Sequence, residues 1–196
     1  MNKLFIILVI GAIILSSCEE THIPKPKGYH KIDLPEHKYL KLGDNLPYSF
    51  EHSSFAITQP HKKTANLEPN WIDIIYPEFG ASIELTYKEI EEDGEQFNKM
   101  LNDSRKLTNK HNIKAYAIDE TTIKTPLGLT ANVFELEGDV PSQFQFYVTD
   151  TTNHFFRGAL YFKTSQKNDS LKPVIEYITY DIIHMLNTLE WETKQP

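Results

Sequence analysis

The side chains best suited to chemistry cluster near residue 150, where Asp150, His154 and Arg157 fall within eight residues. A carboxylate, an imidazole and a guanidinium could converge on an anionic group, or line the pocket of a ligand-binding or hydrolytic protein. The Asp-Thr-Thr-Asn run at 150–153 also suits a hydrogen-bonded bend, which explains much of the pattern without a ligand. Arg157 could likewise stack on an aromatic neighbour or pair with an acid in a sheet. We expect a structural or partner-contact role for these three residues rather than a catalytic one.

A second pair, Asp181 and His184, stands three residues apart on a predicted helix, a spacing that metal ligands can use. No third ligand is evident in the sequence. The simpler interpretation is a solvated helix edge, and we predict no metal site.

Motifs for a catalytic nucleophile are equally weak. Ser142 or Ser165 could be combined with His154 and Asp150 as a hydrolase triad, but neither serine stands in a Gly-x-Ser-x-Gly elbow. The chain also has no phosphate loop, no Gly-x-Gly-x-x-Gly fingerprint and no His-Glu-x-x-His motif. We therefore predict a protein that is not an enzyme and that uses no cofactor.

The single cysteine, Cys18, ends the run Leu15-Ser16-Ser17-Cys18, which has the lipobox pattern of bacterial lipoproteins. Lys3 and an apolar stretch over 4–15 precede it, and that stretch is too short to span a bilayer as a helix. The pattern predicts that residues 1–17 are a cleaved signal peptide. Cys18 then becomes the first residue of the mature protein and carries acyl chains such as palmitate.

The residues after Cys18 predict where the protein is held. Glu19 rather than Asp follows the cysteine, which favours sorting to the outer membrane, facing the periplasm. An acidic Glu19-Glu20 signal for surface display is the alternative. Two prolines within 18–28 favour an extended tether. We therefore predict a signal peptide over 1–17, a lipidated tether over 18–28 and one globular α+β domain over 29–196.

Composition and charge exclude several classes of protein. The chain has 196 residues, 40% of them apolar and 24% charged, which suits a folded domain rather than a disordered or multi-span membrane protein. The formal net charge is -7; removal of Lys3 with the signal peptide lowers the basic count from 20 to 19 against 27 acidic side chains, a net of -8. This acidity argues against nucleic acid as a partner.

Hydrophobic periodicity predicts short strands before and after a central helix. The predicted strands are 29–34, 39–42, 48–50, 55–57, 71–76, 82–87, 115–118, 130–136, 144–149 and 154–162. Apolar residues at helical spacing predict helices over about 92–110 and over 170–189, with Ser170 as a plausible N-cap. The polar stretch 59–70 is predicted to be an exposed loop, and 77–80 a hairpin connection.

The spacing between strands favours an antiparallel meander over crossover units. We therefore predict an α+β fold, a twisted antiparallel sheet of about seven strands covered by the middle and C-terminal helices. The order of strands, helix, meander and terminal helix is similar to that of the Mog1/PsbP-like fold. A fold by itself does not assign a function.

Several blocks of sequence resemble the gliding motility lipoprotein GldD family, from the lipobox to Trp191. The blocks are Pro26-Lys27-Gly28-Tyr29, Ile32-Asp33-Leu34-Pro35, Pro47-Tyr48-Ser49-Phe50-Glu51, Thr149-Asp150-Thr151 with His154-Phe155 and Arg157-Gly158-Ala159-Leu160-Tyr161-Phe162, and Asn168-Asp169-Ser170-Leu171 with Pro173, Asp181-Ile182 and Trp191. The block over 149–162 is the most specific. Lys27 departs from the Arg that the family pattern leads us to expect, and Lys would hold a carboxylate or phosphate less well.

The resemblance implies a cell-envelope lipoprotein required for gliding, held to membrane lipid through acylated Cys18. It also implies partners among gliding or type IX secretion components. The family has no established catalytic residues, so the resemblance assigns none to this chain. A partner contact through Asp150, His154 and Arg157 is the corresponding expectation for the site.

Overall fold

The computed structural model describes residues 32–43, 45–62, 64, 66–90, 94–109, 115–163 and 168–192. The chain divides into the units Met1–Lys31 and Ile32–Pro196, and all the described residues belong to the second unit. The predicted signal peptide, Cys18, the tether and Ser165 lie outside the described residues, as do the predicted boundaries at 17 and 28.

The described part of the chain contains eleven strands and two helices. The strands are β1 (Tyr39–Lys41), β2 (Tyr48–Ser49), β3 (Glu51–Ser53), β4 (Ile57–Pro60), β5 (Ile72–Tyr76), β6 (Ala81–Glu89), β7 (Ala115–Lys124), β8 (Thr130–Gly138), β9 (Phe144–Thr149), β10 (His154–Phe162) and β11 (Glu190–Trp191). The helices are α1 (Gly94–Asn109) and α2 (Asn168–Asn187).

Seven strands form one antiparallel sheet in the order β4-β5-β6-β10-β9-β8-β7. The turn 77–80 joins β5 to β6 as a hairpin. Gly80 has a φ of 59° in this turn, a backbone conformation that residues other than glycine rarely adopt. After β6 the chain passes through α1 to the far edge of the sheet, then returns through β7, β8 and β9 to pair β10 with β6. The predicted α+β fold, its seven-stranded antiparallel sheet and its two helices are confirmed.

The two helices cover opposite faces of the sheet. Each strand contributes side chains to both faces, because successive side chains point in opposite directions. One hydrophobic core joins Ile178 of α2 to Phe146 and Phe156. A second core packs Met100 of α1 against Phe155. Neighbours in β10 therefore belong to different cores. Each fully buried side chain of this size contributes about 1.5–3 kcal/mol to stability.

Two small sheets lie outside the large one, and one of them brings the beginning and the end of the described chain together. β1 pairs with β3, and β2 pairs with β11, both in antiparallel register. Tyr48 in β2 and Phe50, between β2 and β3, are each 1% exposed and join the core that contains α2. The segment that precedes the large sheet is therefore part of the same folded domain.

Gly158 lies in the large sheet at a point where no side chain fits. A Cβ atom built there would stand 2.2 Å from Cζ of Phe146 and 2.9 Å from Cδ2 of Leu85. Both neighbours are buried in a close-packed core, so neither can move without cost. The glycine of the 149–162 block is therefore explained by packing.

Several local predictions differ from the structure. Residues 55 and 56 lie in a turn before β4 and not in the strand predicted over 55–57. The C-terminal helix begins at Asn168, so Ser170 lies within the helix and not at its N-cap. A strand, β4, extends to Pro60, where the sequence predicts a loop from residue 59; it is an edge strand, which tolerates proline. Residues 32–34 form no strand. β7 continues to Lys124 because it pairs with β8 along its length, beyond the predicted end at 118.

Candidate functional site

Asp150 organises the turn between β9 and β10. Its Oδ1 accepts hydrogen bonds from the backbone N–H groups of Thr152, Asn153 and His154 at 3.0, 2.8 and 2.8 Å. Thr151 takes a φ of 66° in this turn. Burial alone would raise the pKa of Asp150, but the three backbone N–H groups outweigh it and hold the pKa below its ordinary value. The predicted hydrogen-bonded bend is confirmed.

His154 begins β10 and is held by aromatic neighbours. Its Nδ1 lies 2.6 Å from the hydroxyl of Tyr87, and its ring stacks on Trp191 with centroids 4.8 Å apart. Its Nε2 lies 3.9 Å from Oδ2 of Asp150. Burial raises the pKa of Tyr87 to about 12, with further contributions from Glu89 and Asp150. The Tyr87 hydroxyl therefore keeps its proton at neutral pH and can donate it to the imidazole.

Arg157 faces the other side of the sheet. It stands three residues after His154 in β10, and strand residues an odd number apart point to opposite faces. A guanidinium nitrogen donates to Oε1 of Gln145 at 2.8 Å, and the hydroxyl of Thr108 in α1 donates to the same oxygen at 3.2 Å. Burial lowers the pKa of Arg157, although the neighbouring Tyr161 opposes that shift. The half-buried arginine therefore links β10 to β9, and through Gln145 to α1.

The three residues singled out by the sequence thus do not share a pocket. Asp150 and His154 meet at one end of the sheet, with side chains 22% and 21% exposed, while Arg157 lies on the opposite face. The hypothesised pocket around all three is not formed by the described residues. Elsewhere, residues that include Pro35 and Phe55 line a pocket of about 10 Å³, which has room for about one water molecule.

Asp181 is the centre of a second cluster, which the sequence analysis did not predict. Its side chain is 2% exposed, and its Oδ1 lies 2.6 Å from Nδ1 of His37. The same Oδ1 accepts a hydrogen bond from the Tyr39 hydroxyl at 3.0 Å, and Oδ2 accepts one from the Tyr76 hydroxyl at 3.0 Å. Burial, reinforced by Asp181, raises the pKa of both tyrosines, so both remain donors. We name these four residues the Asp181 cluster.

Aromatic rings pack over the Asp181 cluster. His37 stacks on Tyr177 of α2 with ring centroids 4.3 Å apart, and Tyr39 stacks on His184 of the same helix at 3.6 Å. Nε2 of His184 lies 2.7 Å from Oε2 of Glu51 in β3. These contacts hold His37, Tyr39 and Glu51 against α2.

The prediction of a solvated helix edge at Asp181 and His184 is therefore wrong. Asp181 lies in the apolar stripe of α2, three residues after Ile178 and next to Ile182, both of which are fully buried. That position in the stripe is the sequence signal that could have predicted its burial. The two side chains have different partners, and the described residues contain no group of three or more His, Cys, Asp or Glu side chains placed to hold a metal ion.

Ser142 is placed for packing rather than for attack. It is fully buried, and its hydroxyl donates to the carbonyl of Phe144 at 3.5 Å. It makes no hydrogen bond to His154 among the described residues, so this version of the proposed triad is not assembled. The version with Ser165 lies outside the described residues.

The structure is thus an α+β domain. The polar side chains of the 149–162 block and of the Asp181 cluster join elements of this domain to one another. The family described as gliding motility lipoprotein GldD matches residues 19–191, which is most of the chain. The chain belongs to this family. It is therefore a gliding motility lipoprotein, a lipid-anchored protein of the cell envelope.

Other comparisons add little to the family assignment. The chain is similar to the solution structure of cyanobacterial PsbP (CyanoP) from Synechocystis sp. PCC 6803, with a TM-score of 0.48 and 8% sequence identity, over 81% of this chain and 95% of that chain. No curated protein matches the sequence significantly. Within the described residues, no helix combines the length and the apolar character needed to cross a membrane.

Proposed function

We propose that this protein is a non-enzymatic accessory module that supports the gliding and type IX secretion machinery through protein–protein contacts. The observation that carries the proposal is the match of the GldD lipoprotein family to residues 19–191. Lipid anchoring supports it as well, because confinement to a membrane raises local concentration and makes weak contacts sufficient.

The anchor in this proposal is Cys18, which stands immediately before the matched region. Each buried acyl CH₂ contributes about 0.8 kcal/mol, so two or three acyl chains hold a protein on a membrane without a spanning helix. We place the anchored protein in the outer membrane, facing the periplasm, because Glu19 and not Asp follows the cysteine.

The non-enzymatic part of the proposal is supported by how the polar side chains are used. Asp150 accepts three backbone hydrogen bonds, and His154 is held between Tyr87 and Trp191. Arg157, on the other face, is bonded to Gln145. Each group therefore already has a structural partner.

The contact that we propose for the 149–162 block is made by the exposed tip of its turn, residues 151–153. Asp150 and His154 act beneath the tip by fixing its conformation. Arg157 is unsuited to direct contact because it is half-buried under α1. Reversing its charge would place an unpaired carboxylate there and unfold the domain instead of releasing a partner.

The test is crosslinking and affinity recovery of the C-terminally tagged, full-length protein from native membranes. Co-recovery of gliding or secretion components is expected from the wild type and expected to fall with Thr152→Arg, which places a bulky cation on the tip. The matched control is Asn102→Arg, which also introduces an arginine, but on the exposed surface of α1. This variant should leave recovery unchanged.

Two outcomes would contradict the proposal. One is recovery of the wild type alone from membranes that otherwise yield intact machinery. The other is that cells carrying a Cys18→Ala variant, which removes the acylation site, retain membrane attachment and gliding.

A further inference from the structure

β7 (Ala115–Lys124) is a long strand at the edge of the sheet formed by the described residues. It pairs with β8 on one side and with no strand of the described chain on the other. Seven of its ten residues are exposed, in contrast to the strands at the centre of the sheet. An uncovered edge of this kind presents unpaired backbone N–H and C=O groups to another chain.

The opposite edge of the same sheet is protected. β4 spans only four residues and ends at Pro60, two features that block the addition of a further strand. β7 is more than twice as long and contains no proline. Strand addition is therefore favoured at one edge of the sheet and disfavoured at the other.

The surface beside β7 is acidic. Asp119 lies directly opposite Glu135 of β8, so the two exposed carboxylates share one face of the sheet, with Glu137 two residues further along the same face. No basic side chain of the described residues lies within ion-pairing distance of these three carboxylates. Like charges placed opposite each other destabilise a strand pair, and cations from a partner would remove this repulsion.

Two other exposed side chains of β7, Glu120 and Tyr116, stand outside this acidic group. Glu120 already pairs with Arg105 of α1 at 3.8 Å, so it needs no external cation. Tyr116, at the register shift near the start of the strand, is 88% exposed. An exposed tyrosine next to an open edge supplies the large amphipathic contact that interface hot spots commonly use.

We infer that the β7 edge binds an extended segment of a partner protein by strand addition, with Lys or Arg side chains of that segment facing Asp119, Glu135 and Glu137. The inference rests on the proposed function and specifies the chemistry of one partner. Backbone hydrogen bonds provide the docking, while alternate basic residues of the segment provide the selectivity.

A second copy of this chain fits the edge less well. If two β7 strands paired antiparallel over their full length, Asp119 of each copy would lie opposite Glu120 of the other. The formal net charge of -7 adds a general repulsion between copies. Both repulsions disfavour a second copy of this chain, and both favour a basic segment from a different protein.

The test uses the full-length protein in detergent and two synthetic peptides. One peptide repeats Thr-Lys-Val-Lys, which puts lysine on one face of a strand, and the other has Glu in place of Lys. Fluorescence anisotropy measures binding, and hydrogen exchange reports which amides become protected. We expect the lysine peptide to bind, to protect amides within 115–124, and to bind more weakly as salt is added.

Asp119→Lys is expected to weaken binding of the lysine peptide roughly tenfold or more, because attraction at the edge becomes repulsion. Glu176→Lys makes the same change of charge at a site 66% exposed on α2 and should leave the affinity nearly unchanged. Tyr116→Ala should also weaken binding and involves no change of charge. Equal affinity for the two peptides, protection outside β7, or a concentration-dependent dimer that occupies the edge would each overturn the inference.

The results distinguish this inference from the function on which it rests. If the peptide experiments fail while membrane components are still recovered with the tagged protein, the β7 site is wrong and the module function stands. If the peptide binds as expected but no machinery is recovered, the edge is a binding site and the proposed function is wrong.

Discussion

Asp150 and Asp181 are both held by three hydrogen-bond donors, but the donors come from very different distances along the chain. Those of Asp150 are backbone N–H groups two to four residues away. Those of Asp181 are side chains 105 to 144 residues away. The first carboxylate shapes one turn, whereas the second joins α2 to β5, to β1 and to His37 just before β1.

The difference shows how far the effect of a single side chain extends. The Asp150 bonds order a few residues that are already close in sequence, so the entropy of ordering is small. The Asp181 bonds fix segments that approach each other only in the folded domain. Substitution of Asp150 should therefore affect only its own turn, whereas substitution of Asp181 should destabilise several elements together.

The sharpest test of this comparison is the pair Asp181→Ala and Asp150→Ala. We expect Asp181→Ala to lower the free energy of unfolding by about 3–5 kcal/mol, because the buried Tyr76, the half-buried Tyr39 and the more exposed His37 all lose their acceptor. Asp150→Ala should cost about 1–2 kcal/mol, since the freed N–H groups lie near water. Urea unfolding followed by circular dichroism measures both. Equal losses would show that the span of the contacts does not matter.

Sequence patterns predicted the elements far better than they predicted these long-range contacts. The apolar stripe of α2 and the turn at Asp150 follow from local spacing and turn chemistry, and the structure confirms both. The partners of Asp181 lie more than a hundred residues away, and no local pattern connects Asp181 to His37. Arg157 and His154 are close in sequence, but strand alternation places them on opposite faces of the sheet.

A second comparison concerns the donors within the Asp181 cluster. We expect Tyr76→Phe to destabilise the domain by about 2 kcal/mol and Tyr39→Phe by about 1 kcal/mol or less. Tyr76 is 2% exposed and donates to Oδ2, whereas Tyr39 is half-buried and donates to Oδ1, which His37 also contacts. Thermal unfolding of both variants checks the order, and a larger loss for Tyr39→Phe would reverse it.

The smallest expected effect is the dependence of stability on pH at Asp150. Its pKa in the folded protein lies below the ordinary value of 3.8, so its stabilising contribution is present above that pH and is lost as the pH falls through the folded value. Asp150→Asn keeps an oxygen acceptor for the turn but cannot titrate. The loss of stability in acid should therefore be shallower in this variant than in wild type, as measured by unfolding at a series of pH values. An unchanged acid profile would contradict the assignment.

The contacts between the beginning and the end of the described chain also set an order of events during synthesis. The side chains of His37 and Tyr39 depend on Asp181, and Tyr48 in β2 pairs with Trp191 in β11. A ribosome releases the amino-terminal segment long before these carboxy-terminal partners exist. β1 can pair with β3 early, but His37, Tyr39 and β2 must wait for their carboxy-terminal partners. A nascent chain that stops before Asp181 lacks the contacts that tie this segment to α2 and β11.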